Sequence, residues 1–495
     1  MQHSQTSLDG KDGRKQLAWF VGMATIAFVV GLIMIPPILG VADSGDFSRV
    51  LGGAGLTHLD PQESYASRYF GYTHQYFGYG GYSFGGYFST HVILVAIAGW
   101  IGRLWNGQLF DIRILGVCYT LLFAGAITLL IRYSPRFDRG WMQLAYSLLF
   151  AMLLLFVFAD VGYTAYFQSF FGEPFAFIAI LLAVASALAI ASSEEPSRAL
   201  FLLFIVAVLA LATSKIQNAP IGFAFALLTW RMMALYADRR WRRFVTIGIV
   251  IIVIGSSLMM IIAPDRLKHV NLYQSIFYGV LKGSDNVEAD MKELGIPLKY
   301  KVLAGTNYFQ KDTVIPQNDP LLHREVLEQL SHKDIAFYYV SHPARGLQKL
   351  KAAAGQAFHI RPGYLGNYDR SAGKPSGAMT SQFNLWSEWK ARHMPHTLFV
   401  ISGFYLLYYL LLMHIWVRSE SRKIRFGLET LMIVGISGAF AFAVPLIGDG
   451  EADLAKHLFM FNVCFDMMLV SVVMGIAYAI GKRIISRSGR VSKGV

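Results

Sequence analysis

LAWFVGMATIAFVVGLIMIPPILGV, Leu17 to Val41, is an uncharged apolar run preceded by Lys11, Arg14 and Lys15 and followed at once by ADSGDFSRV, Ala42 to Val50. A run of this length crosses a hydrocarbon core of about 30 Å. It is too long for a signal-peptide core and no small-residue cleavage site follows it, so it reads as a first spanning helix whose basic start stays in the cytoplasm. The acidic stretch then emerges on the opposite side.

The rest of the chain extends this pattern. Of its 495 residues 55% are hydrophobic and 15% charged, against about 25% charged in a soluble chain. Mean hydropathy is +0.44. Spans are predicted at 18–41, 112–131, 141–159, 174–192, 199–213, 218–236, 244–263, 397–417, 426–446 and 456–481. With the N-terminus inside, every strong basic cluster falls on the cytoplasmic side: Arg132 to Arg139, Arg198, Arg239 to Arg243, Arg418 to Arg425, and Lys482 to Lys493. The net charge of +13 is therefore read as a topology signal, and nucleic acid is not an expected partner. Among the short outer turns only Lys215 and Lys456 run against the bias. Residues 89–104, interrupted by Arg103, would invert everything downstream if they spanned, so they are read as an interfacial helix. Cys118 and Cys464 lie inside apolar runs, which excludes a disulfide framework. No internal repeat is visible.

The predicted architecture is an all-α polytopic membrane protein of about ten transmembrane helices. It comprises a cytoplasmic start (1–17), a spanning module (18–263) with an exoplasmic first loop (42–111), an exoplasmic loop domain (264–396), C-terminal spans (397–481) and a cytoplasmic tail (482–495). Within the loop domain Leu322–Val340 and Pro343–Phe358 have helical spacing, the second starting on Pro343 and carrying Arg345, Lys349 and Lys351 on a basic face suited to a membrane surface. Residues 361–382 read as loop.

Four outer segments carry candidate chemistry. Asp43 and Asp46 sit just past the first span, where a carboxylate facing lipid costs several kcal/mol and a wet cavity or a partner relieves it. Asp43 is also placed to cap a following helix. In YFQSFFGEPF, Tyr166 to Phe175, Glu173 starts the fourth span at the same depth. In TSKIQNAP, Thr213 to Pro220, Lys215 offers a cation for a phosphate. In IGDGEADLAKH, Ile447 to His457, Asp453 and His457 are four apart and would share a helical face; a zinc site lacks further ligands at suitable spacing. Asp466, deeper in the last span, should face the bundle interior. The stretch from Tyr65 to Phe88 is dense in Tyr, Phe and Gly and holds His74, a composition that suits sugar stacking or an interfacial aromatic belt.

The order of these parts resembles the GT-C superfamily of glycosyltransferases, which take a sugar from a polyprenyl-phosphate carrier on the outer face of a membrane. The resemblance covers residues 15–260. It lies in the acidic end of the first span (Asp43, Asp46), a long first loop with an interfacial helix, the Arg-bearing start of the second span (FDIRILG, Phe110 to Gly116), a basic cytoplasmic loop, and LATSKIQ with Lys215. YQSIFYGVLKGSDN, Tyr273 to Asn286, followed by LGIP, is similar to bacterial glycan hexosyltransferases. The resemblance implies that Asp43 or Asp46 is the general base toward a glycan or polymer acceptor. Glu173, Lys215, His74, Arg361, Asp453 and His457 would then bind a polyprenyl-phosphate-linked sugar, with Lys215 and Arg361 neutralising the leaving phosphate. D-x-x-D stands where the family has an Asp-Glu pair. The implied reaction requires no cofactor, and a divalent metal stays open. The competing readings are a transporter or flippase of lipid-linked glycans and a glycan polymerase or ligase of another fold.

Topology has a direct test. Reporters fused after Arg139 and after Val495 are both expected to read as cytoplasmic, and a disagreement between them breaks the ten-span count.

Overall fold

The computed structural model describes residues 2–83, 88–262 and 264–491, with side chains from 13 to 486. Lys11, Arg487, Arg490 and Lys493 of the basic termini, and residues 84–87 of the aromatic loop, lie outside those bounds. The protein is an all-α polytopic membrane protein. Among the described residues, eight helices are long and apolar enough to cross a bilayer: Gly13–Ile33, the apolar part of α1 (Gln2–Ile33), then α3 (Arg113–Arg132), α4 (Gly140–Phe158), α5 (Glu173–Ser192), α8 (Arg239–Ile261), α13 (Leu398–Arg418), α14 (Arg422–Asp449) and Phe459–Ser486 of α15 (Phe459–Val491). α15 runs through most of the predicted tail.

The predicted spans 199–213 and 218–236 are α6 (Arg198–Ala212) and α7 (Ala219–Met232), of 15 and 14 residues. At about 1.5 Å per residue each is roughly 21–22 Å long, well short of the ~30 Å core. They form a hairpin. Tyr236 beyond α7 donates to Ser193 O (3.1 Å) before α6, and Trp241 Nε1 donates to Met232 O (2.9 Å), so both open ends lie with the basic clusters. The turn between them, which carries Lys215, meets the first residue of α5, Glu173.

The basic clusters collect at one end of the bundle. Arg14 donates to Ser134 O (3.2 Å), Lys482 pairs with Asp138 (3.6 Å), and Arg231 pairs with Glu429 (2.8 Å). The opposite end carries the loops. α1 stops at Ile33, before Pro36 and Pro37, because consecutive prolines withdraw the N–H donors a helix needs. α2 (Thr90–Trp105) lies along this loop end: Thr90 N donates to Thr213 O (3.1 Å) at its start, and Arg103 donates to Gly55 O (3.0 Å) and lies over the Tyr79 ring at its finish. Ile93, Ile97, Trp100 and Leu104 form its exposed face. The first loop also holds three short antiparallel strands in the order β1 (Leu56–Thr57), β2 (Tyr76–Tyr79), β3 (Leu109–Asp111). Phe77 and Phe110 from these strands are buried against Phe170, so this part of the aromatic stretch is core and not a stacking platform.

Residues 264–396 divide into two structural parts. From α9 (Asp265–Ser275) to α10 (His332–Ser341) the chain has its own core, including Tyr273, Phe277, Leu303, Leu322 and Ile335. The predicted helix Leu322–Val340 is interrupted: a π-turn at His323–Leu327 ends, and Ser331 with Asp334 forms a capping box that starts α10 afresh. α11 (Pro343–Ala354) begins on Pro343, but two of its three basic residues turn inward. Arg345 donates to Val280 O (2.8 Å), and Lys349 to Lys282 O and Glu451 (both 2.7 Å). Those partners, not lipid headgroups, satisfy their charge, while Lys351 stays exposed.

Residues 353–390 instead join the main core through Phe358, Leu365 and Trp386. The loop 361–382 threads between the first-loop segments. Gly40 N donates to Asn367 O (2.9 Å), Ala42 N to Gly366 O (3.0 Å) and Gly366 N to Phe70 O (2.8 Å). A Cβ on Gly366 would stand 2.2 Å from Gly71 O, so the lacing requires glycine there. α12 (Leu385–His393) is strapped to the bundle: Asp160 accepts from Trp386 N and Ser387 N (3.0 Å each), and buried Asp466 of α15 accepts from Lys390 (2.6 Å), Trp386 Nε1 (2.8 Å) and Tyr163 OH (2.5 Å).

Removing one member of a fully buried ion pair strands the other charge, which costs about 3–5 kcal/mol. Lys390→Met is therefore expected to lower thermal stability in detergent sharply, and Lys390→Met with Asp466→Asn, whose amide oxygen still accepts from Trp386 and Tyr163, to recover most of the loss. Equal losses in the two variants would show that the pair does not hold the strap.

Candidate functional site at the loop end

The central helix positions the site. α5 is the most enclosed span, 78% buried over its apolar window against 17% for α13. Its alanines let neighbouring backbones approach closely. Glu173 is its first residue. The chain before it, residues 159–172, is buried throughout and closes the loop end from within.

Asp43 follows the laced strand-like segment. Its Oδ1 accepts from Gly45 N (2.7 Å) and Phe47 N (3.2 Å), holding the turn into Ser48–Leu51. Its Oδ2 is buried with no hydrogen-bond partner among the described residues, 3.8 Å from His58 Nε2. Burial pushes the Asp43 carboxyl up to about 6; the two backbone donors oppose this, and the Asp46 charge adds to it. Burial, then the Arg68 charge, holds His58 down, which favours the neutral ring.

Asp46 turns elsewhere. It pairs with Lys456 (2.7 Å) and Arg49 (3.1 Å). Burial opposes its ionisation, but Lys456 and Arg49 outweigh that and hold it far below the usual carboxylate range. Lys456 is 5% exposed. It also reaches Ser44 Oγ (3.4 Å) and Asp453 (3.7 Å) and lies 5.6 Å from the Phe171 ring centroid. Burial works against its charge; Asp46 and Asp453 overcome this and raise its pKa.

The second ion pair is Glu173 Oε1 with Lys215. Glu173 Oε2 is buried and unpartnered among the described residues. A Cβ on Gly172 would stand 3.3 Å from Lys215 Cε, so a glycine there leaves room for the lysine. The two pairs sense one another: Lys215 helps to lower Asp46, and Glu173 helps to raise Lys456. Asp43, Glu173 and Lys215 thus belong to one electrostatic cluster, connected through Asp46 and Lys456.

The remaining candidates surround this cluster. His457 links its ring to Asp449 (2.9 Å) and Gln217 (3.0 Å), which ties residues 449–457 to the Lys215 turn. Asp453 and His457 do not share a helical face. Gly450 ends α14 at positive φ, Asp453 is left-handed (φ 45°), and only the single turn Leu454–His457 follows. His74 pairs with Glu63 (3.0 Å) behind His58. Arg361 donates to Asn367 Oδ1 and to Thr380 O (2.7 Å), clamping the threaded loop with two of its five N–H donors. Asp43 and Asp46 diverge, and among the described residues no three His, Cys, Asp or Glu side chains converge on a metal-sized site.

Sequence reasoning passed over Lys456 as a site residue. Its signal was available: with Lys215, it is the lysine that breaks the charge bias of the outer turns. Tyr166 had no such signal. Tyr166 is buried with an unpartnered hydroxyl, within reach of the charges of Glu173 and Arg361.

The fold and this polar cluster define a multi-pass membrane protein with ionisable groups gathered at one end of a helical bundle. The chain belongs to the YfdI N-terminal transmembrane domain family, whose model matches residues 8–493. No curated protein and no solved structure matches it.

Because its folded pKa lies above the unfolded value of 3.8, Asp43 destabilises the fold once ionised. Its neutral form contributes stability that is complete below about pH 3.8 and lost as pH rises through about 6, a swing of about 3 kcal/mol. Asn preserves the Oδ1 cap without the charge. Asp43→Asn should therefore melt higher than wild type at pH 7.5, with the two converging below pH 4; a variant that melts lower at both would remove the buried-charge account.

Proposed function

We propose that the protein is a GT-C-type glycosyltransferase, moving a hexose from a polyprenyl-phosphate carrier to a surface glycan on the membrane face away from the cytoplasm. One observation carries the reading: Asp43 is held by one oxygen and unpartnered at the other, within reach of the charge of buried Lys456 and in the same ionic cluster as half-buried Lys215. The positive-inside distribution supports the assignment of the loop end to the exoplasmic side.

Asp43 is the better general base than Asp46. A base needs a free lone pair and a pKa near the working pH, and Asp46 has its carboxylate committed to Lys456 and Arg49. Asp43 Oδ2 accepts the proton of the acceptor hydroxyl as that oxygen forms a bond to the anomeric carbon. The bond from that carbon to the phosphate oxygen breaks, and polyprenyl phosphate leaves with the electron pair. Lys215 and Lys456 neutralise the leaving anion, each exchanging part of its carboxylate contact for phosphate. The proton passes from Asp43 to water. Glu173 orients Lys215, and Asp46 orients Lys456. His457 and Asp453 hold the lysine-bearing turns in place. The step as written uses no cofactor.

Purified protein in lipid nanodiscs, given a polyprenyl-phosphate hexose and a glycan acceptor, should release polyprenyl phosphate and glycosylate the acceptor. Asp43→Asn should lower kcat by at least ~100-fold, and kcat/KM of the wild type should rise with pH through about 6. Full activity in Asp43→Asn removes the base assignment. Movement of the intact lipid across the membrane without cleavage replaces the enzyme with a transporter.

A further inference from the structure

Two further polar side chains are sealed into the loop end beside the Glu173–Lys215 pair. His91 is in the first turn of α2, and Tyr119 is one and a half turns into α3. Both are buried, His91 at 1% and Tyr119 at 0% exposure. Their rings stack, with centroids 6.4 Å apart and planes inclined by 19°. His91 Nε2 and Tyr119 OH have no hydrogen-bond partner among the described residues. A buried polar atom left in that state costs about 1–3 kcal/mol, so two side by side need a reason.

Their surroundings indicate what they suit. The Lys215 charge reaches His91, and the Glu173 charge reaches Tyr119, so the pair adjoins the ionic cluster. Burial holds His91 down to about 3, with Lys215 assisting, so the ring is neutral. Phe175 stands 5.8 Å from His91 and Phe167 5.7 Å from Tyr119. The site therefore offers a neutral imidazole and a phenol hydroxyl between aromatic walls. A phosphate would demand cations at that spot. An uncharged, hydroxyl-bearing ring would use a donor–acceptor pair and apolar faces.

We propose that His91 and Tyr119 form the subsite that reads the hydroxyls of the donor's sugar ring, next to Lys215, one of the two lysines that hold its phosphate. This rests on the glycosyltransferase reading, and it separates the site into a cationic half for phosphate and a neutral half for sugar. His91 and Tyr119 are specificity residues in it and take no part in proton transfer.

Binding tests it directly. Wild type, Tyr119→Phe and His91→Phe, in nanodiscs, are titrated with a polyprenyl-phosphate hexose and with bare polyprenyl phosphate. Both substitutions keep the stacked rings and remove only the polar atoms. The expected result is an approximately tenfold loss of affinity for the hexose lipid in each variant, the size of one hydrogen bond. Affinity for the bare lipid should stay within about twofold. The subsite is overturned if the variants keep the wild-type ratio between the two lipids, if both lipids weaken equally, or if wild type binds neither. A transfer assay distinguishes this from failure of the parent reading. Wild-type transfer with unchanged kcat/KM and hexose preference in both variants rejects the subsite alone. Tyr119-dependent hexose binding without any cleavage rejects the enzyme and keeps the subsite.

Discussion

A charge removed from water must meet its counter-charge, and in this protein that demand draws together segments far apart in the chain. Lys456 reaches Asp46 across 410 residues, Lys349 reaches Glu451 across 102, and Lys390 reaches Asp466 across 76. Apolar packing cannot select these arrangements in a bilayer, because lipid tails are as apolar as the helices. A buried ammonium without its carboxylate is unacceptable, so each pair fixes where a loop docks. Lys349 with Glu451 seats the loop domain on the end of α14. Lys390 with Asp466 seats α12 against α15. Lys456 with Asp46 closes the last loop over the first.

Asp43 departs from this rule. Its neighbours provide two backbone donors to one oxygen and only a neutral, distant histidine to the other. Evolution could have given it a lysine, as it gave Asp46, and the pair would have been more stable and chemically inert. A carboxylate kept half-satisfied and raised toward neutrality costs stability, a common compromise where function and stability compete. The proximity of a saturated Asp46 to an unsaturated Asp43 separates an anchoring carboxylate from one with an oxygen to spare within a single D-x-x-D.

The short α6–α7 hairpin has a related consequence. Its turn brings Lys215 to Glu173 at the head of the most enclosed helix. The same turn sets Ser214 and Thr213 against the start of α2, which brings His91 into the same neighbourhood.

Much of this was legible from the chain. Spans from α3 to α15 follow from run length and basic clusters because hydrocarbon thickness and charge translocation act on local composition. Asp43, Glu173 and Lys215 could be singled out because each sits at a span end where polar groups are costly. Other contacts were hidden for want of partners. Arg345 and Lys349 of α11 turn inward because Glu451 and three backbone carbonyls lie there, and Arg361 clamps the loop because Asn367 and Thr380 face it. Asp453 and His457 lost their shared face to a left-handed residue that no helical spacing discloses. Composition and periodicity thus determined the class and the long apolar spans, since these depend on a residue and its immediate neighbours. Which charges pair, which carboxylate keeps an unpartnered oxygen, and how the 361–382 loop threads the site were decided only by the tertiary structure, because each is a contact between groups the sequence holds tens to hundreds of residues apart.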